Sequence, residues 1–192
     1  MCFHGPFDKE RAMFASAPSL LPVPVRTLPL LMGGDVQTRI TLRVMRDLAG
    51  RALRDPVILD AAVQAVRGVD GRDVPAQIAA LRSWLARRIQ FLRDPDIEGD
   101  VLRTPRYLLD HLHRDGVARA DCDDVSMLTA ALGKSIGIPA RFHAVAFEPR
   151  GAFRHVFTEL QTPDGAWHEM DITESAERRA QFPALRSMIV EV

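Results

Sequence analysis

The chain has 192 residues, 47% of them hydrophobic and 26% charged, and its 25 lysines and arginines balance 25 aspartates and glutamates to a net charge of zero. A globular chain of that length buries roughly 70% of its unfolded surface and needs no staples to fold, and this composition argues against a mainly disordered protein. The charge balance and the scarcity of aromatic residues (6%) argue against a nucleic-acid binder, whether by a basic surface or by base stacking.

Residues 1–35 hold five prolines and no hydrophobic period, so the expectation is an extended N-terminal arm. Phe3, Phe7, Phe14 and Leu20 would be wasted on solvent there, which suggests that the arm docks on a neighbour. Pro18, Pro22, Pro24 and Pro29 interrupt the apolar residues Leu20, Leu21, Val23 and Val25, so no signal peptide is expected. No run reaches the ~18 apolar residues of a membrane span, and the expected compartment is the cytoplasm.

From Val36 the pattern becomes helical, and residues 36–192 read as one domain. Val36, Ile40, Val44 and Leu48 recur at i+4, with Gly50 and Pro56 as limits. Pro56 opens a second helix through Ile58, Ala62 and Val66, which Gly68 stops. Asp73 and Pro75 begin a third with the stripe Ile78, Leu81, Leu85, Ile89 and Leu92, and Thr104-Pro105 a fourth with Tyr107, Leu108 and Leu112. This helical region spans 36–120. A core region over 121–173 follows. It starts with a helix from Asp121 as N-cap to Ile136, with Gly137 as the stop. Arg141–Phe147, Phe153–Leu160 and Ala166–Ile172 read as strands, the last two joined by a turn at Thr162-Pro163-Asp164-Gly165. The tail 174–192 is expected to be a short polar helix or loop and then an edge strand at Met188–Val192. Helices followed by an antiparallel meander make the fold class α+β.

Cys122 stands at the start of the fifth helix, where free N–H groups and the helix dipole favour a thiolate and could hold an oxyanion. Asp121, Asp123 and Asp124 surround it with negative charge and favour the neutral thiol. A reactive Cys122 therefore needs a base nearby, and the hairpin offers one. Strands paired symmetrically about Pro163 would set His155 opposite Asp171, Val156 opposite Met170 and Leu160 opposite Ala166. The aspartate would then orient the imidazole, and the imidazole would take the thiol proton. His155, Asp171, Phe157, Glu169, Glu159 and Trp167 would share one face. The remaining histidines make no comparable group: His111 and His113 point to different faces of one helix, and His143 and His168 are single strand residues. No metal and no cofactor are expected. Gln90 is a thin candidate for an upstream oxyanion donor.

The segment Asp121-Cys122-Asp123-Asp124, with Leu128, Ala131-Leu132 and then Gly137-Ile138-Pro139-Ala140-Arg141-Phe142, resembles the cysteine block of the transglutaminase-like superfamily. His155-Val156-Phe157-Thr158-Glu159 resembles its histidine block, and Trp167-His168-Glu169-Met170-Asp171-Ile172-Thr173 its aspartate block. The resemblance covers roughly Asp73 to Thr173. With Asp94-Pro95 upstream, the Asp-Cys-Asp-Asp form looks most like small transglutaminase-like proteins of phages and prophages. It implies a papain-like α+β fold, with the cysteine-bearing helix packed on an antiparallel sheet. It also implies Cys122 as nucleophile, His155 as base and then acid, and Asp171 as orienter. Asp123, Phe157 and Trp167 would be substrate or oxyanion contacts. Ala120, Phe157 and Ile172 depart from the usual glycine, tryptophan and proline of these blocks, which leaves the substrate open.

The expected activity is acyl transfer from an amide of a protein or peptide substrate through a thioester, resolved by water or by an amine. A different class competes with it: a non-catalytic assembly protein, for example a virion component, that keeps the fold and uses the N-terminal arm to hold a partner.

Overall fold

The computed structural model describes residues 25–28, 34–93, 100–174 and 180–192. Most of the proline-rich arm, with Phe3, Phe7, Phe14 and Leu20, lies outside them, as do Asp94, Pro95 and Ser175. The helices are α1 (Gly34–Ala52), α2 (Pro56–Ala65), α3 (Val74–Ala86), α4 (Pro105–Asp115) and α5 (Cys122–Ser135). The strands are β1 (Val25–Leu28), β2 (Ile89–Phe91), β3 (Asp100–Arg103), β4 (Ala118–Ala120), β5 (Ala140–Ala146), β6 (His155–Gln161), β7 (Trp167–Glu169) and β8 (Arg186–Glu191).

The helix starts follow local chemistry. The N-caps are Asp55, Asp73, Thr104 and Asp121, whose side chains accept from Val57, Ala76, Tyr107 and Asp124 N–H groups respectively. Each cap satisfies one of the N–H groups a helix start leaves orphaned. Three of these helices also carry proline in the first turn, where its missing N–H is not needed. Arg106 of α4 donates to Asp55 Oδ2 (2.9 Å), so the cap of α2 also ties two helices together.

One helix ends earlier than its stripe suggests. α3 stops at Ala86, and Ile89–Phe91 forms β2, parallel to β4, with Ile89 opposite Ala118 and Phe91 opposite Ala120. No glycine or proline marks the change, and Leu85 to Ile89 keeps the helical spacing. Periodicity alone therefore ran past the boundary. Leu92 is consequently exposed (53%) instead of buried. The short strands β1 to β4 are three or four residues long, too short for alternation to mark them in the sequence; β1 and β3 pair antiparallel, Val25 opposite Arg103.

α5 is the centre of the molecule. Ten of its residues, from Asp124 to Gly133, are buried, because α1, α2, α3 and α4 pack on it from one side and β5 and β6 from the other. Its run of small side chains, Ala130, Ala131 and Gly133, permits that close approach. A Cβ built on Gly133 would lie 2.6 Å from Leu160 Cδ2, and Leu160 is fully buried. Gly133→Ala is therefore expected to cost about 1–3 kcal/mol by overpacking, read as a lowered urea midpoint, with Gly133→Ala/Leu160→Val recovering part of the loss.

The sheet runs β7-β6-β5-β8, all antiparallel, so the tail strand is an edge strand. The β6–β7 register differs from the expected one. Leu160 lies opposite His168 and not Ala166, and the Met170 N–H donates to the Thr158 carbonyl, so Val156 is not opposite Met170. The cause is the turn. Gly165, at φ 89°, donates to the Thr162 carbonyl, and Thr162 N–H bonds Ala166, giving a loop of Pro163, Asp164 and Gly165 centred on Asp164. That is a three-residue hairpin loop with glycine in the left-handed position. Moving the centre by one residue shifts each partner by two, so the side chains keep their faces. His155 and Asp171 become diagonal neighbours on one face and not directly opposed residues.

Candidate functional site

Cys122 is the first residue of α5, and two side chains fix that helix to β6. Ser126 Oγ donates to the Cys122 carbonyl (2.6 Å) and lies 3.1 Å from the Val156 carbonyl. Thr158 Oγ1 donates to the Ser126 carbonyl (2.7 Å). The helix start is thereby held against the strand that begins with His155.

The histidine and the aspartate meet. His155 Nε2 lies 2.7 Å from Asp171 Oδ2, and the two side chains are 10% and 1% exposed. The other carboxylate oxygen, Oδ1, accepts from Thr173 N–H (2.8 Å), Thr173 Oγ1 (2.8 Å) and Glu174 N–H (3.2 Å). Arg82 of α3 holds the backbone there, donating to the carbonyls of Glu169 and Asp171 (both 3.2 Å). Burial pushes the Asp171 carboxyl up, but the His155 bond and charge and the Thr173 donors outweigh it, and the group sits below the usual carboxylate range. An ionised Asp171 can only accept, so the proton of the neutral imidazole lies on Nε2 and the lone pair on Nδ1.

The thiol is not poised as a standing thiolate. Burial, then the Asp123 and Asp121 carboxylates, push it well above the ordinary thiol range; the hydrogen bonds from the Val156 and Cys122 backbones pull the other way. Asp121, Asp123 and Asp124 gather their carboxylates within 4.8 Å of one another. Each has work at the helix start. Asp124 Oδ1 accepts from Arg103 N–H (2.6 Å) and Oδ2 from Arg103 Nη1 (2.8 Å). Asp123 accepts from Asp124 N–H (2.9 Å) and hydrogen-bonds Asp121. Burial, followed by the Asp121 bond and charge, raises Asp123 well above the carboxylate range. Burial and the Asp121 charge push Asp124 up to about 7 against the pull of Arg103.

Of the aromatic residues expected near the substrate, one lies away from the dyad and one beside it. Trp167 is opposite Gln161, six residues along β6 from His155. At the rise of a strand that is roughly 20 Å from the imidazole. Its ring instead carries the Arg141 guanidinium, 4.0 Å from the centroid. Phe157 is near His155 but buried, with 7% exposure. Gln90 sits on the exposed side of β2, its Oε1 3.4 Å from Arg119 Nε. His168 lies 3.2 Å from the Thr162 hydroxyl, and His111 is bound to Arg114 and Asp115. Arg103 and Arg82 were missed by sequence reasoning; both reach the site from elements far away in the chain, and nothing local distinguishes them from other arginines.

A helix bearing a cysteine at its first turn, packed on an antiparallel sheet that carries a histidine–aspartate pair, defines an α+β fold of the papain-like kind. The family model described as "Transglutaminase-like superfamily" matches residues 61–172, more than half of the chain, and the chain belongs to that superfamily. A search of the curated proteins found no match. Among solved structures, a crystal structure of a candidate cysteine protease from Cytophaga hutchinsonii is similar over 69% of this chain, with 17% identity and a TM-score of 0.48. The chain spans 45% of that protein's length. Among the described residues, no helix is long and apolar enough to cross a membrane.

Proposed function

We propose that the chain is a cysteine-dependent acyl hydrolase or transferase acting on amides of a protein or peptide, with Cys122, His155 and Asp171 as its catalytic residues. The observation that carries this reading is the His155–Asp171 bond (2.7 Å) at the head of the strand to which Ser126 and Thr158 tie the Cys122 end of α5. As Cys122 Sγ attacks the acyl carbonyl, its proton passes to His155 Nδ1. His155 then gives it to the departing amine, leaving a thioester and a neutral imidazole. Water, or a second amine, attacks the thioester and surrenders its proton to His155, and the thiol is regenerated. Because burial and the neighbouring carboxylates favour the neutral thiol, His155 acts as base during attack and not as a standing imidazolium partner. Hydrolysis is the preferred outcome, since no feature among the described residues recruits an amine.

The burial of the thiol and the carboxylates around it support a second reading. In it, the chain is a non-catalytic assembly component, of the phage type that the Asp-Cys-Asp-Asp form resembles, and residues 1–35, whose Val25–Leu28 pairs with β3 of the domain 36–192, engage a partner through the segment ahead of Val25. One experiment separates the two. p-Nitrophenyl acetate transfers its acetyl group to a competent thiol and releases nitrophenolate, whatever the natural substrate. With Cys2→Ser as background, the catalytic reading expects a burst of nitrophenolate and an acetyl mass gain at Cys122, both lost in His155→Ala. An acylation rate indifferent to His155 would sink the catalytic reading and leave the assembly reading, to be followed by partner capture with and without residues 1–24, a deletion that spares β1.

A further inference from the structure

We propose that His143 and Phe157 form a wall that fixes the plane of the His155 imidazole, so that Phe157 is a positioning residue and not a substrate contact. This rests on the catalytic reading of Cys122, His155 and Asp171.

The need for such a wall follows from the site. The bond from Nε2 to Asp171 sets one direction of the imidazole but leaves rotation about that direction open. The second side-chain torsion of histidine is itself broad. Nδ1 can face the thiol only if something also restrains the ring face. Phe157 is two residues from His155 on β6 and so on the same face of the sheet. Its ring centroid is 6.0 Å from that of His155, at 38° between planes. Opposite Phe157 on β5 stands His143, whose ring centroid is 4.8 Å away at 45°. Both spacings are those of packed aromatic pairs.

The outer member of the stack is itself held. His143 Nδ1 is 3.4 Å from Glu159 Oε1, and Arg141 Nε donates to Glu159 Oε2 (2.6 Å). Neither ring nitrogen of His143 completes a hydrogen bond of good geometry among the described residues. A half-buried imidazole whose polar edge meets only the 3.4 Å approach of Glu159, and whose ring packs tilted on Phe157, serves chiefly by its ring. Phe157 itself offers a substrate almost nothing to touch, being 7% exposed.

The test uses acylation of Cys122 by p-nitrophenyl acetate in the full chain, because an acetyl group needs no substrate pocket. Phe157→Leu and His143→Ala are expected to slow acylation by about tenfold or more, as misplacement of a reacting group does. His143→Phe keeps the ring, removes the ionisable group and is expected to acylate at the wild-type rate. A chain that merely lost stability would not be restored in this way. Thermal melts establish which variants are folded; if Phe157→Leu is not, the His143→Ala and His143→Phe pair decides alone. A folded Phe157→Leu chain acylated at the wild-type rate, with His155→Ala slow, overturns the wall and returns Phe157 to the substrate side. Equal rates in His143→Ala and His143→Phe overturn the part given to His143. If the wild type is no faster than His155→Ala, the catalytic reading fails first and the wall fails with it.

Discussion

Asp171→Asn is expected to slow acylation of Cys122 by on the order of 10³–10⁴-fold, though it changes one atom and leaves the fold intact. The reason lies in the donors around the carboxylate. Thr173 N–H, the Thr173 hydroxyl and Glu174 N–H all converge on Oδ1. An asparagine there must keep its oxygen toward those donors, which turns its amide nitrogen toward His155 Nε2. A nitrogen that donates to Nε2 forces the imidazole proton onto Nδ1, the position that has to receive the thiol proton. The base is then present, well placed and in the wrong tautomer. His155→Ala and Cys122→Ala are expected to lose activity by on the order of 10⁴-fold or more each, and the double variant to be no worse than either, because residues acting as a unit do not add. Single-turnover nitrophenolate release in the variants checks this, with Asp171→Glu as a control that keeps the charge. An Asp171→Asn chain within tenfold of wild type would show that Asp171 only braces the end of β7.

What the sequence made legible here was whatever depends on neighbours in the chain. The caps Asp55, Asp73, Thr104 and Asp121 stand beside the helices they start, and the buried stripes of α2, α4 and α5 repeat within one element. The stripe expected for α1 was turned: Val36 is exposed, and the helix buries Leu42, Met45, Leu48 and Ala49 instead. The pairing of His155 with Asp171 survived an error in register because the error was an even number of residues. A turn centred half a residue differently would have sent the two side chains to opposite faces. Trp167 shows the limit of that luck. Face alone put it with the dyad, while distance along the strand put it at the other end of the sheet. The roles of Arg82, Arg103 and His143 could not be read at all, since each depends on which element packs beside it. β2 was hidden for a related reason: three residues gain their strand from β4, not from their own pattern.

Removing Arg103 is expected to cost up to about 3–5 kcal/mol where Asp124 stays ionised without it, a large part of the 5–15 kcal/mol that stabilises an ordinary domain. Asp124 has no exposed side-chain surface, and Arg103 holds it through both its backbone N–H and its guanidinium. β3, which carries Arg103, pairs with β1, so this one pair joins the start of α5 to Val25–Leu28. The effect should depend strongly on pH, and its sign can be worked out. Burial raises Asp124 to about 7 in the folded chain, above the ordinary aspartate value near 4. The folded chain therefore binds a proton that the unfolded chain has released between those values. The contribution of this group is full below about pH 4 and is lost as pH rises through 7, by on the order of 2 kcal/mol between pH 5 and 7. Asp171 has the opposite sign. Its folded value is depressed, so its contribution is present above the ordinary range and lost only as pH falls below it. It does not titrate between pH 5 and 8. At pH 5 Asp124 is neutral and has little need of a guanidinium, so Arg103→Met should lose little. At pH 8 the same substitution forces the buried carboxylate to take up a proton, which costs about 1.4 kcal/mol for the one unit between 7 and 8, and the loss grows by as much again with each further pH unit until the charge is stranded. Urea midpoints of wild type and Arg103→Met at both pH values measure the difference directly. An equal cost at pH 5 and pH 8 would mean that Arg103 outweighs burial and keeps Asp124 ionised throughout. In that case one more ionised carboxylate would stand in the turn that carries the Cys122 thiol at neutral pH, and His155 would have that much more work to do in removing its proton.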